Sequence, residues 1–136
     1  MEDPATEKDI KFTHKCALFD RAMKIGGVVN YTPHAITVAG IPYPPSGVVA
    51  RVDETYVTVG DRCMATRGKV TFVRDGQPFP LNGFDCDETV CVVSAMVLEA
   101  MADNRHGVWV APATGHPDVV RNEKGHIVDV PCFRLF

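Results

Sequence analysis

Residues 89–117, TVCVVSAMVLEAMADNRHGVWVAPATGHP, decide the fold. The first five are short and rich in β-branched side chains, which suits a buried strand. Residues 95–102 are helix formers. Ser94 stands between the two and is placed to cap the helix, its hydroxyl accepting a bond from an early helical N–H. Val97 occupies the position where a capping box needs Glu or Gln. Asn104 and Gly107 suit the helix end, because both accept left-handed backbone. Residues 108–111 are strand-like again, and Pro112 stops them. The pattern predicts a right-handed βαβ unit with parallel strands. Such a unit sets the helix start and the loop Ala113-Thr114-Gly115-His116 at one edge of the sheet, beyond the carboxyl ends of the strands. Open α/β sheets usually bind ligands there, and free N–H groups at a helix start favour anions.

The composition bounds the rest. A chain of 136 residues has room for one core and buries roughly 68–70% of its unfolded surface. Residues 1–11 are charged and aperiodic and predict a flexible tail, leaving residues 12–136 as a single α+β domain. A net charge of −3 argues against nucleic acid as a partner. No apolar run approaches the roughly 20 residues of a membrane span, and no signal-peptide core is seen at the start. Five cysteines without a CxxC pair point to reduced thiols and a cytoplasmic setting.

In chain order, residues 12–25 place Phe12, Cys16, Phe19 and Met23 near helical spacing, predicting a helix over an edge of the sheet that ends at Gly26-Gly27. Residues 28–31 and 35–39 read as strands broken by Thr32-Pro33-His34. Residues 41–47, IPYPPSG, read as an apolar turn. Residues 48–53 read as a strand, with 55–59 extending it and 60–68 a loop. Residues 69–73 read as a strand before a hairpin turn at Arg74-Asp75-Gly76. Residues 77–88 read as a surface loop. Residues 119–130 read as a C-terminal hairpin turning at Asn122–Gly125. Phe133, Leu135 or Phe136 would pack back on the core. The fold class is therefore α+β: a mixed, mostly antiparallel sheet with one right-handed βαβ crossover and a C-terminal hairpin.

Three constellations carry candidate chemistry. Asn30-Tyr31-Thr32-Pro33-His34 breaks a strand with polar groups, and His34 is suited to acid–base work near neutral pH, with Thr32 orienting a substrate. The competing structural account has Asn30 and Thr32 satisfying backbone at a bend. Ser94 with Thr114, Gly115 and His116 forms the second set. Ser94 lacks the glycines of a nucleophile elbow, and neither phosphate-loop pattern is present; Gly115 suits a tight turn. The third set is Arg51 and Arg121, placed on strands to clamp a carboxylate or phosphate, or simply to solvate a strand face. His14 and Cys16 are the only close pair of imidazole and thiol ligands, and no zinc spacing occurs. No metal site is expected. The carboxylates Asp85, Asp87 and Glu88 read as a solvated acidic loop.

These motifs carry a resemblance. The chain resembles a family of small phage and bacterial proteins whose activity is unassigned. Asn30-Tyr31-Thr32-Pro33-His34-Ala35-Ile36 matches that family's Asn-Leu-Thr-Pro-His-x-Ile. Pro44-Pro45-Ser46-Gly47 with Ala50-Arg51-Val52 matches its Pro-Pro-Ser-Gly turn and following strand. Val93-Ser94, Thr114-Gly115, Val120-Arg121 and Gly125 match its later motifs. Where the family tends to carry Asp before Thr-Gly and Pro after it, this chain has Ala113 and His116. The resemblance implies a map of a site and no reaction.

Three expectations follow. The first is a domain binding a small anionic or nucleotide-like molecule, through helix N–H groups, Asn30, Ser94, Thr114, Gly115, His116 and an arginine. The second is a hydrolase or lyase using His34. The third is a homo-oligomeric structural or interaction module, packing the apolar turn at residues 41–45 on a second copy. No cofactor follows from the sequence.

Overall fold

Strand-forming residues that must bury both faces make the centre of this protein. In the computed structural model, which describes residues 7–80, 89–101 and 108–135, the elements in chain order are α1 (Glu7–Ile25), β1 (Val28–Asn30), β2 (Ile36–Val38), β3 (Ile41–Tyr43), β4 (Val49–Val59), β5 (Arg62–Arg74), β6 (Gln77–Pro78), β7 (Val90–Val92), α2 (Ala95–Ala100), β8 (Val108–Pro112), β9 (Val120–Arg121), β10 (Ile127–Asp129) and β11 (Phe133–Leu135). The four-stranded sheet has the order β1-β7-β8-β11. β1, β7 and β8 are parallel neighbours, and β11 closes the edge antiparallel to β8. The other pairs, β2–β3, β4–β5, β5–β6 and β9–β10, are antiparallel. The α+β class, the β7–α2–β8 crossover and the C-terminal hairpin stand as the sequence predicts. What the sequence does not foresee is the parallel pairing of β1 with β7, whose connection contains β2 to β6.

Strand alternation divides the central sheet between two cores. Val90, Val92 and Val110 face α1, meeting the buried Ala22 with Phe19 and Met23. Cys91, Val93, Trp109 and Ala111 face the other way, onto Val97 and Leu98 of α2 and onto Val48, Ala50, Val52, Val70 and Phe72 at the base of the β4–β5 hairpin. α1 thus covers a face of the sheet rather than its edge. It begins at Glu7, so residues 7–11 are helical instead of belonging to a tail. Gly27 ends it at φ 69°, with its N–H bonded to the Ala22 carbonyl at 3.1 Å.

Three other readings change. Residues 41–43 are strand, not turn; the chain reverses at Ala39 (φ 49°) and Gly40 (φ 81°) instead. Ala39 gives no warning of this, because a side chain rarely takes positive φ. Pro42 is accommodated in a two-stranded ribbon, where one edge needs no donor. Residues 62–68 are strand, and the predicted loop shrinks to a tight turn with Gly60 at φ 61°. Gln77 and Pro78 pair with β5; residues 81–88 of the predicted loop lie outside the described residues, as do Asn104 and Gly107. The turn at Asp75 (φ 51°) and Gly76 (φ 78°) is as expected.

The paired strands β4 and β5 run on past the body as an arm. Their register slips between Val52 and Glu54, where Asp53 on β4 stands against Gly68 and Lys69 on β5. A bulge of this kind bends a ribbon and increases its twist. Beyond it, every residue from 53 to 66 is exposed.

Leu98 is wholly buried between α2 and the sheet. Leu98→Ala is expected to lower stability by about 2–5 kcal/mol, read as a shifted denaturant midpoint at constant slope.

Candidate functional site at the carboxyl edge of the parallel strands

The registers Asn30↔Val92 and Val92↔Val110 align the ends of the three parallel strands. Residues 31–34, 93–94 and 113–116 therefore leave the sheet along one edge. This is the edge to which the sequence assigns a ligand, so each candidate can be judged by what its atoms do there.

Asn30 is almost fully buried, at 1% exposure, and is the buried polar residue among the described ones. Its amide nitrogen donates to the His34 carbonyl at 2.9 Å and to the Tyr43 carbonyl at 3.2 Å. Its oxygen accepts from the Thr32 N–H at 2.9 Å and lies 2.6 Å from the Thr32 hydroxyl. That hydroxyl also lies 2.9 Å from the His34 carbonyl, so its single proton is shared between two acceptors. An amide offers two donors and an acceptor oxygen, and all are occupied within the fold. Asn30 and Thr32 thus have the structural role of satisfying backbone at the bend. The His34 backbone belongs to this network, while its ring stands exposed.

Ser94 caps α2 as expected: its hydroxyl accepts the Val97 N–H at 3.3 Å, and its carbonyl accepts the Leu98 N–H at 2.9 Å. α2 is only six residues long. Among the described residues, no imidazole or carboxylate hydrogen-bonds the Ser94 hydroxyl. The loop after β8 is held by the backbone and by His116. Thr114 N–H donates to the Pro112 carbonyl and His116 N–H to the Ala113 carbonyl. The His116 Nδ1 accepts the Asp118 N–H at 3.0 Å, which leaves the proton of the neutral ring on Nε2. Gly115 does not take positive φ, and a Cβ there would meet open space. The turn there makes no use of the extra freedom that glycine offers.

The two arginines stand in different sheets. Arg51 is exposed on β4 and faces away from the core residues Ala50 and Val52. Arg121 lies on β9, in another sheet, and its Nη1 donates to the Gly125 carbonyl at 2.8 Å, bracing the C-terminal turn. That turn is built as predicted, with Gly125 at φ 82° and the Asn122 side chain accepting from the Lys124 and His126 N–H groups.

Thr114 does line a cavity of about 340 Å³, with Ile36, Thr37, Ile127 and Asp129. Its wall contains none of Asn30, Thr32, His34, Ser94, Arg51 or Arg121. The Asp129 carboxylate there accepts the Gly40 N–H at 3.3 Å. Among the described residues, no three His, Cys, Asp or Glu side chains converge as metal ligands. Cys63 and Cys132 are exposed free thiols, and Cys91 lies in the core. Among the described residues, no helix is long and apolar enough to cross a membrane.

The features the sequence reading passes over are those with most packing around them. Tyr31, Phe72 and Trp109 form a three-ring cluster with centroids 5.5–5.9 Å apart. The Tyr31 carbonyl accepts the Ala50 N–H at 2.9 Å, joining β4 to the parallel sheet. Aromatic residues at 31, 72 and 109 carry no spacing that would link them before folding.

Asn30→Ala is expected to destabilise the chain by roughly 1–3 kcal/mol for each buried group left unpaired. His34→Asn should stay within about 0.5 kcal/mol of the parent, as exposed substitutions do. Paired chemical denaturation curves measure both. Compared with family models, curated proteins and solved structures, the chain matches none.

Proposed function

We propose that the protein is a homo-oligomeric structural module whose β4–β5 arm makes the contact between copies. The observation that carries this reading is the unbroken exposure of residues 53–66. Tyr56, Val57, Val59 and Met64 in this arm are 60–75% exposed. A lone two-stranded ribbon is marginally stable in water, and its free edges invite pairing with another chain. An arm of this length gains its order by packing on something.

A second copy fits better than a partner of other chemistry. Residues 53–69 carry three acidic side chains (Asp53, Glu54, Asp61) and three basic ones (Arg62, Arg67, Lys69). A neutral arm has no preference for nucleic acid or a charged lipid surface, and like arms do not repel. Residues 53–66 are the longest exposed run among the described residues. The contact thus moves from the apolar segment at residues 41–45, which is largely strand and packs Tyr43 on Phe133, to the arm.

The anion-binding and His34 enzyme readings have less behind them. Asn30 is fully occupied within the fold, α2 is short and capped by its own Ser94, and among the described residues no acid or base is hydrogen-bonded to the His34 ring. The free cysteines fit a reducing, cytoplasmic setting. Sedimentation velocity on the full chain between roughly 1 and 200 µM should show a dimer or larger species. Val59→Lys with Met64→Lys should weaken it by about ten-fold or more, with the thermal midpoint of the body unchanged. A monomer across that range overturns the reading.

A further inference from the structure

The arm has two unlike faces, and the geometry points to one of them as the contact. Resting on the assembly reading, we propose that two arms pack face to face about a two-fold axis through the row Thr55, Val57 and Val59 with Thr66, Met64 and Arg62.

Cross-strand partners share a face of a ribbon, and neighbours along a strand alternate. The register therefore sorts the arm. Glu54, Tyr56 and Thr58 lie with Ala65 and Cys63 on one face. Thr55, Val57 and Val59 lie with Thr66, Met64 and Arg62 on the other. The first face continues the side on which Ala50 and Val52 meet the protein's own core. It is also the more polar: the Tyr56 hydroxyl donates to Glu54 at 3.1 Å, a bond and a charge that hold the phenol proton above its ordinary pKa.

The second face continues the outer side, marked by Arg51, so the chain's own core does not extend beneath it. Val57 (60%), Val59 (75%) and Met64 (68%) are exposed there. The Thr55 and Thr66 hydroxyls bond each other at 2.6 Å, and the proton left over reaches the carbonyl of the opposite threonine, so the pair adds no unpaired donor to this face. At the tip, Arg62 lies 4.0 Å from Asp61, and its aliphatic stem can lie along apolar surface with the charge in water. A two-fold contact is self-complementary. It sets the threonine end of one arm against the Arg62 end of the other, and Val57 and Met64 against their own copies. An unbranched methionine at the centre adapts to the fit.

Cys63 lies on the opposite face of the arm and is exposed, so it serves as an internal control. The full chain carrying Val57→Cys is labelled with a bulky maleimide when dilute and when assembled, and each thiol is read by peptide mass spectrometry. The thiol introduced at position 57 should label about ten-fold more slowly in the assembly, as a residue moved into a water-excluded contact does, while Cys63 is unchanged. An oligomer in which Cys63 is shielded and position 57 stays open overturns this face and leaves the assembly intact. A chain that remains monomeric in sedimentation overturns both.

Discussion

The fold depends on the bonds made by one buried amide. Asn30 ends β1, and its side chain ties together the bend at residues 32–34 and the end of β3 at Tyr43. Its own carbonyl accepts the Ser46 N–H at 2.9 Å, and the next carbonyl, that of Tyr31, accepts from Ala50. Between them these bonds take the chain out of the parallel sheet, around a two-stranded ribbon, and into β4. A buried polar group costs stability when unpaired, but fixes one geometry when every partner is present. The arm is aimed by this node, so its direction is determined far from its tip.

The hydrophobic contribution begins where that network stops. Tyr31 places its ring against Phe72 from the base of the arm and Trp109 from the centre of the sheet. Aromatic clusters of this kind bury large areas and add specific orientation. The same core takes Val97 and Leu98 from α2. Sheet, helix and arm base are thus one packing unit, while α1 fastens to the opposite face through a separate, smaller set of side chains. Ser46 adds a local brace, since its hydroxyl lies within hydrogen-bond distance of both the N–H and the carbonyl of Val48.

How much of this the sequence disclosed follows from which signals burial creates. Val90, Cys91, Val92 and Ser94 announce a strand and a capped helix, because full burial demands apolar runs and helix starts demand acceptors. Asp75-Gly76 and Asn122–Gly125 announce turns, because their backbone needs those residues. β5 between Arg62 and Arg67 stayed hidden: neither face of the arm is buried, so no alternation of apolar and polar residues arises there. The turn at Ala39 stayed hidden because alanine is a poor marker of positive φ. For the candidate site, the spacing of Asn30, Thr32 and His34 was legible as a polar break, and the two accounts of it diverge only over atoms. Short motifs of amide, hydroxyl and glycine serve turns and ligands equally well, and here Asn30, Ser46, Ser94 and Asn122 each end on the protein's own backbone.

The bulge at Asp53 and Gly68 separates two regions that answer to different forces. Behind it the strands are held by the core; ahead of it they are held by each other. Regions with few buried contacts open locally at far lower free energy than the whole domain. The arm is therefore expected to open as a unit of its own while the body stays native. Trp109 is the only tryptophan and lies in the core. Its fluorescence will follow global unfolding and stay silent about the arm, so a sharp fluorescence transition and a frayed arm can coexist in one sample. Amide exchange, which sees each strand by itself, is the observable that separates them.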